Sequence, residues 1–236
     1  MKQIYFFDEG DGKNKKLLGG KGSGLCEMTR LKLPVPPGFV ITTDVCKKYY
    51  ENNKKLPKSL ILEMKKNIAK IEKKTGKKWN SKSDPLLVSV RSGAAISMPG
   101  MMDTILNLGL NDITVEGLAE KSKNPRFAWD SYRRFIQLFG KVVFGVNDKK
   151  FDVVLEKAKK TQGVNEDSSL NENSLRKIVL EYKKICEKHT GAKFPSNPFD
   201  QVELAIRRFL EAGWEREQSF IEKKTTLQKI LQMVLL

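Results

Sequence analysis

Histidine, cysteine and long apolar runs are what this chain has least of, and each shortage excludes something. The single histidine, His189, and the three cysteines, Cys26, Cys46 and Cys186, are scattered through 236 residues. No cysteine has a second ligand at the short spacing that zinc sites use. An odd number of distant cysteines fits reduced packing residues in a reducing compartment. No apolar run approaches the roughly 20 residues that span a bilayer. The N-terminus lacks the charged-then-apolar layout of a signal peptide. The expected address is the cytoplasm, with no membrane partner.

Acidic residues are also outnumbered, 28 against 44 lysines and arginines, for a net charge of +16. The excess comes as scattered doublets such as Lys47-Lys48, Lys73-Lys74 and Lys183-Lys184 on the polar faces of predicted helices, where lysine reads as solvated surface. No aromatic-plus-basic stripe accompanies them, so nucleic acid is not an expected partner. A general positive field still attracts polyphosphates. With 39% hydrophobic and 31% charged residues, the chain is long enough to bury a real core as one large domain or two small ones.

Periodicity divides the chain. Gln3 to Phe7 reads as a strand, Ser23 to Leu31 as helical, and Phe39 to Thr42 as a short β run after Pro34, Pro36 and Pro37. Thr43 is expected to cap a helix through Tyr50. Leu60, Met64, Ile68 and Ile71 recur at helical spacing until Gly76. Leu86 to Val90 has the continuous apolar character of a buried strand, and Thr104 to Leu110 is expected to pair near it. Beyond Thr114 come helices over Phe127–Phe139, Phe151–Ala158 and Leu175–Cys186. A final helix carries Val202, Ala205, Ile206 and Phe209.

Four places could carry chemistry. Gly19-Gly-Lys-Gly-Ser-Gly24 lets the backbone approach an anion, and a following helix N-terminus offers free N–H groups. Its order fits neither a Walker loop nor the dinucleotide fingerprint, so a tight strand-to-helix turn is the plain alternative. Arg91 ends a strand, where a guanidinium can grip phosphate oxygens in bidentate fashion or pair with a carboxylate at the sheet edge. Ser97-Met-Pro-Gly-Met-Met-Asp-Thr104 combines the freedom of Gly100 with adaptable methionines, and Met101 and Met102 could equally cap the core. Arg133 and Arg134 are adjacent on a predicted helix and point about 100° apart, so at most one faces a given site.

Five stretches carry a family resemblance: Leu18-Gly-Gly-Lys-Gly-Ser-Gly-Leu25, Leu33-Pro-Val-Pro-Pro-Gly-Phe-Val-Ile-Thr-Thr43, Arg91 through Asp112, Arg126-Phe-Ala-Trp-Asp-Ser-Tyr-Arg-Arg-Phe135 and Thr190-Gly-Ala-Lys-Phe-Pro195. In that order they resemble the nucleotide-binding end of the pyruvate phosphate dikinases, to about Phe209. The Met-Pro-Gly-Met-Met-Asp-Thr run distinguishes this type from related water-dependent dikinases.

The resemblance implies an α+β fold. An ATP-grasp N-terminal lobe with a mixed sheet would span 1–112, a mostly helical insert 113–197, and a return segment with a divergent tail 198–236. It implies ATP as the ligand, contacted by Lys21, Arg91, Ser97, Gly100, Met101, Met102, Asp103, Thr104 and Arg134, with Arg133 as a packing or surface neighbour. Magnesium is implied too, its ligands expected in a second lobe that this chain lacks. No catalytic residue is expected in the chain, since the family's phosphohistidine lies on a later domain. His189, in Lys188-His-Thr-Gly191 at a helix C-terminus, is expected to cap that end. The tail from Gly213 departs from the family pattern and reads as a frame-shifted stretch before an early stop. The chain is thus expected to be a truncated ATP-binding region, inactive alone, with the rest of the dikinase as a possible separate chain. The alternatives are a stand-alone adenine-nucleotide module or a remnant without catalysis.

Overall fold

The structure, a computed structural model, describes residues 2–91 and 104–212. It is an α+β protein whose described residues divide into two compact units. One takes in the described residues of Met1–Asn67 and of Arg207–Leu236, and the other Ile68–Arg91 and the described residues of Met101–Ile206.

In the first unit, β1 (Ile4–Phe6) pairs antiparallel with β2 (Phe39–Ile41), Ile4 opposite Ile41 and Phe6 opposite Phe39. Ile4 and Phe6 are buried and Tyr5 is half-buried, the alternation of a strand with one face on a core. Helix α1 (Lys15–Arg30) packs on β2 and on α2 (Thr43–Glu51). It begins well before the expected Ser23, because Asn14 caps it by accepting from the Leu17 N–H at 3.1 Å. For α2 the cap position falls to Thr42, whose buried hydroxyl has no hydrogen-bond partner. Thr43 instead donates to the Lys16 carbonyl at 2.7 Å and ties α2 to α1. Helix α3 (Lys58–Thr75) follows the expected spacing, with Leu60 and Met64 buried in this unit and Ile68 and Ile71 in the next. Gly76 ends it at φ 73°.

The second unit opens on a hairpin, β3 (Val88–Arg91) against β4 (Thr104–Leu108), with Val90 opposite Ile105 and Arg91 opposite Thr104. The ladder slips between Val88 and Val90. Asn107, at φ 60°, supplies the extra residue of that bulge, a conformation asparagine tolerates better than most. The expected buried strand is corrected here. Leu86 is buried, but Val88 to Arg91 alternate between half-buried and exposed, as in a ribbon covered on one face.

Helices α4 (Thr114–Ser122), α5 (Pro125–Val142), α6 (Lys149–Gln162) and α7 (Glu172–Thr190) follow, then a helix over 198–212, here α8. Helix α5 is central, packing against α4, α7 and β4. It buries Trp129, Tyr132, Phe135, Ile136 and Phe139, each worth about 1.5–3 kcal/mol of transfer free energy when fully buried. Phe194 joins Phe135 and Phe139 edge-on, with ring centroids 5.9 and 5.4 Å apart. The Thr190–Pro195 motif thus closes an aromatic core. His189 lies in the last turn of α7, and its Nε2 meets the Phe144 carbonyl at 3.0 Å. Fully buried Gln201 at the start of α8 accepts from the Gly109 N–H and donates to the Leu110 and Pro195 carbonyls, fixing the exit of β4.

Candidate functional site

Lys21 follows an interruption of α1. Gly19 sits at φ 68°, ψ 167°, outside helical geometry, so the helix breaks and restarts at Gly20. That backbone region is essentially confined to glycine. The expected strand-to-helix turn is therefore a kink within a helix already begun at Lys15. The restart gives the segment Gly20–Arg30 its own N-terminal turn, where orphan N–H groups and the helix dipole favour an anion. Ser23 donates to the Gly20 carbonyl at 3.0 Å and steadies this turn. Gly22 serves packing: a Cβ there would stand 2.7 Å from Val40 Cγ1, so only glycine lets α1 lie this close on β2. Lys21 is half-buried beside it.

In the second unit the hairpin register brings Arg91 and Thr104 side by side. Arg91 is exposed and has no ion pair among the described residues. Ser97, Gly100, Met101, Met102 and Asp103 lie outside the described residues.

The two adjacent arginines of α5 separate as helix geometry requires. Arg133 is 3% exposed and donates through Nε and Nη2 to Asp130 Oδ1, at 2.9 and 2.7 Å, and through Nη1 to Gln137. It is the packing partner. Arg134 has 64% of its side chain exposed, and its Nε stands 3.0 Å from Asp130 Oδ2. Sequence reasoning passed over Asp130, although its spacing of three and four residues to the two arginines signals such pairing.

Among the described residues no group of three or more His, Cys, Asp or Glu side chains is placed to hold a metal ion. A shallow depression of the first unit, lined by Gln3, Lys48, Ser59, Leu62, Glu63 and Lys66, contains none of the candidate residues. No helix among the described residues is long and apolar enough to cross a membrane. Cys26 and Cys186 are buried thiols and Cys46 is half-buried, all unbridged. Burial pushes the Cys186 thiol up to about 12. Burial, then Asp11 and Asp8, raises Cys26. Neither is poised as a nucleophile. On each unit the candidate residues offer cations, joined on α1 by backbone N–H groups, and such groups are ones that bind phosphate.

Residues 15–62, which contain the glycine break and Lys21, match the family described as "Pyruvate phosphate dikinase, AMP/ATP-binding domain". The chain is 54% identical over 206 residues to the pyruvate, phosphate dikinase of Entamoeba histolytica, covering 87% of this chain and 23% of that protein. It is 43% identical over 224 residues to the protein of that name from Clostridium symbiosum, covering 94% and 26%. It is 47% identical over 212 residues to that of Giardia intestinalis, covering 87% and 24%. The chain therefore spans about a quarter of the length of these relatives.

Proposed function

Over the part it spans the chain belongs to the pyruvate, phosphate dikinase family, and on that premise we propose that it binds ATP by its phosphates through a small set of cations and backbone donors. Lys21 and the helix restart behind Gly19 form one phosphate-gripping element, on the first unit. Arg91 with Thr104, and Arg134 on α5, form another on the second. Ser97, Gly100, Met101, Met102 and Asp103 complete it in the segment that joins Arg91 to Thr104. The observation that carries the reading is the break at Gly19, which creates an internal helix N-terminus inside the stretch matched to an AMP/ATP-binding domain. The exposed guanidinium of Arg91, without an ion pair among the described residues, supports it.

In this reading the fold is the N-terminal lobe of an ATP-grasp protein, formed by 1–112 and 198–236, with 113–197 as its helical insert. The chain serves the reaction that converts ATP, phosphate and pyruvate to AMP, diphosphate and phosphoenolpyruvate. It contributes nucleotide binding. The phosphohistidine, the carboxylates for magnesium and the pyruvate site come from the rest of the dikinase, joined to it or as a separate chain.

Calorimetric titration of Mg-ATP into the full chain tests the reading. A charge-assisted hydrogen bond contributes about 1.5–3 kcal/mol, so Lys21→Ala and Arg91→Ala should each weaken binding about tenfold or more. No heat from a folded chain at millimolar ATP, or affinity indifferent to both substitutions, would remove the reading.

A further inference from the structure

We propose that Asp130 is a positioning residue for the nucleotide site, holding Arg134 ready for a phosphate; this rests on the assignment of Arg134 above. Asp130 is 8% exposed, and its two carboxylate oxygens serve different arginines. Oδ1 accepts both N–H groups of buried Arg133. Oδ2 stands 3.0 Å from Nε of Arg134. Arg133 also lies 3.6 Å from Asp167, which shares the balancing of its charge.

A carboxylate this buried needs a paired and hydrogen-bonded partner, and Arg133 already supplies one. The contact with Arg134 adds little to stability, because a pair with one exposed member contributes about 0–1 kcal/mol. Its consequence is conformational. A free arginine side chain carries about 2 kcal/mol of rotamer entropy, part of which a ligand must otherwise remove. The closest approach is through Nε and not through a terminal nitrogen. The terminal nitrogens, which form the bidentate fork for phosphate, therefore lie farther from the carboxylate. One buried carboxylate thus anchors the helix through Arg133 and presents the guanidinium of Arg134.

The test is a thermodynamic cycle. ATP is titrated into the full chain and into Asp130→Asn, Arg134→Ala and the double variant, with circular dichroism on each. Arg134→Ala should bind about 10- to 30-fold more weakly, the loss of one charge-assisted contact. Asp130→Asn should bind about 3- to 10-fold more weakly, the cost of an unordered side chain. The double variant should bind no worse than Arg134→Ala. Equal losses from Asp130→Asn with and without the Arg134 side chain would make Asp130 merely structural and overturn the proposal. So would an unchanged affinity of Asp130→Asn beside a weakened Arg134→Ala.

If Asp130→Asn does not fold, Arg134→Lys decides. It keeps the charge and leaves the Asp130–Arg133 pair intact but removes Nε and the fork. Weakening of about threefold or more supports the proposal, and unmodified affinity overturns it. An Arg134→Ala protein that binds as tightly as the unmodified chain, or no binding by either, defeats the assignment of Arg134 itself and this inference with it.

Discussion

Helices α1 and α5 are of similar length, yet they are built for opposite purposes. Helix α1 contains Gly19, Gly20, Gly22 and Gly24, breaks once, and buries small groups apart from Leu18 and Cys26. Helix α5 is continuous and buries Trp129, Tyr132, Phe135, Ile136 and Phe139 among helices and β4. In the proposed reading the first offers backbone to a ligand, while the second offers side chains to a core. An element that must admit an anion at its own peptide groups cannot also be densely covered. The comparison therefore predicts that substitutions in α5 cost more stability than those in α1.

The largest effect should come from α5. Phe139 is fully buried and meets Phe135, Phe144 and Phe194 with ring centroids 5.2 to 5.5 Å apart. Phe139→Ala removes the centre of that cluster and should cost about 3–5 kcal/mol in urea unfolding. A loss below about 1 kcal/mol would mean that the cluster collapses without strain, and that α5 is not the dominant packing element.

Much of this contrast was legible beforehand. The apolar stripe from Phe127 to Phe139 has a period that only a helix satisfies, and α3 and α7 follow the same rule. The start of α1 was hidden because Lys13-Asn-Lys-Lys16 has no apolar period, and only Asn14 as a cap signalled it. The β3 strand looked fully buried because Leu86 and Leu87 precede it, but composition does not reveal that Val88 to Arg91 alternate between half-buried and exposed positions. At the candidate site, the opposed faces of Arg133 and Arg134 followed from helix geometry. The pairing of Arg91 with Thr104 depends on the hairpin register, and a bulge at Asn107 shifts that register. The second role of Asp130 needed side-chain positions.

A smaller effect should separate two glycines of α1. At Gly22 an added Cβ would press on Val40, whereas at Gly24 nothing lies within 4 Å. Gly22→Val should overpack the contact with β2 and cost about 1–3 kcal/mol. Gly24→Ala should be neutral or stabilise by about 0.5–1 kcal/mol, since alanine is the better helix former. Denaturation of the two variants side by side checks this. Equal losses would mean that α1 does not lie on β2 as described.

The smallest effect compares the buried thiols of the two units and appears only in alkali. Cys186, on α7, has its thiol pushed up by burial from an ordinary value of 9.0 to about 12. In the unfolded chain it loses its proton near the ordinary value, while in the folded chain it keeps it. Between those values the folded state binds more protons, so stability falls as pH rises. The contribution is intact below pH 9 and is lost progressively toward pH 12. Between pH 9 and 10 the loss from this group is about 1 kcal/mol. Cys26 on α1 and the buried tyrosines titrate in the same direction, so the informative quantity is a difference between proteins. Urea unfolding of the unmodified chain and of Cys186→Ala at pH 8, 9 and 10 isolates it. The variant starts less stable, for it leaves a small cavity beside Gly140 and Phe151, but the gap should narrow by about 1 kcal/mol between pH 9 and 10. A gap that stays constant would mean that the Cys186 thiol ionises as freely in the folded helices as in the unfolded chain.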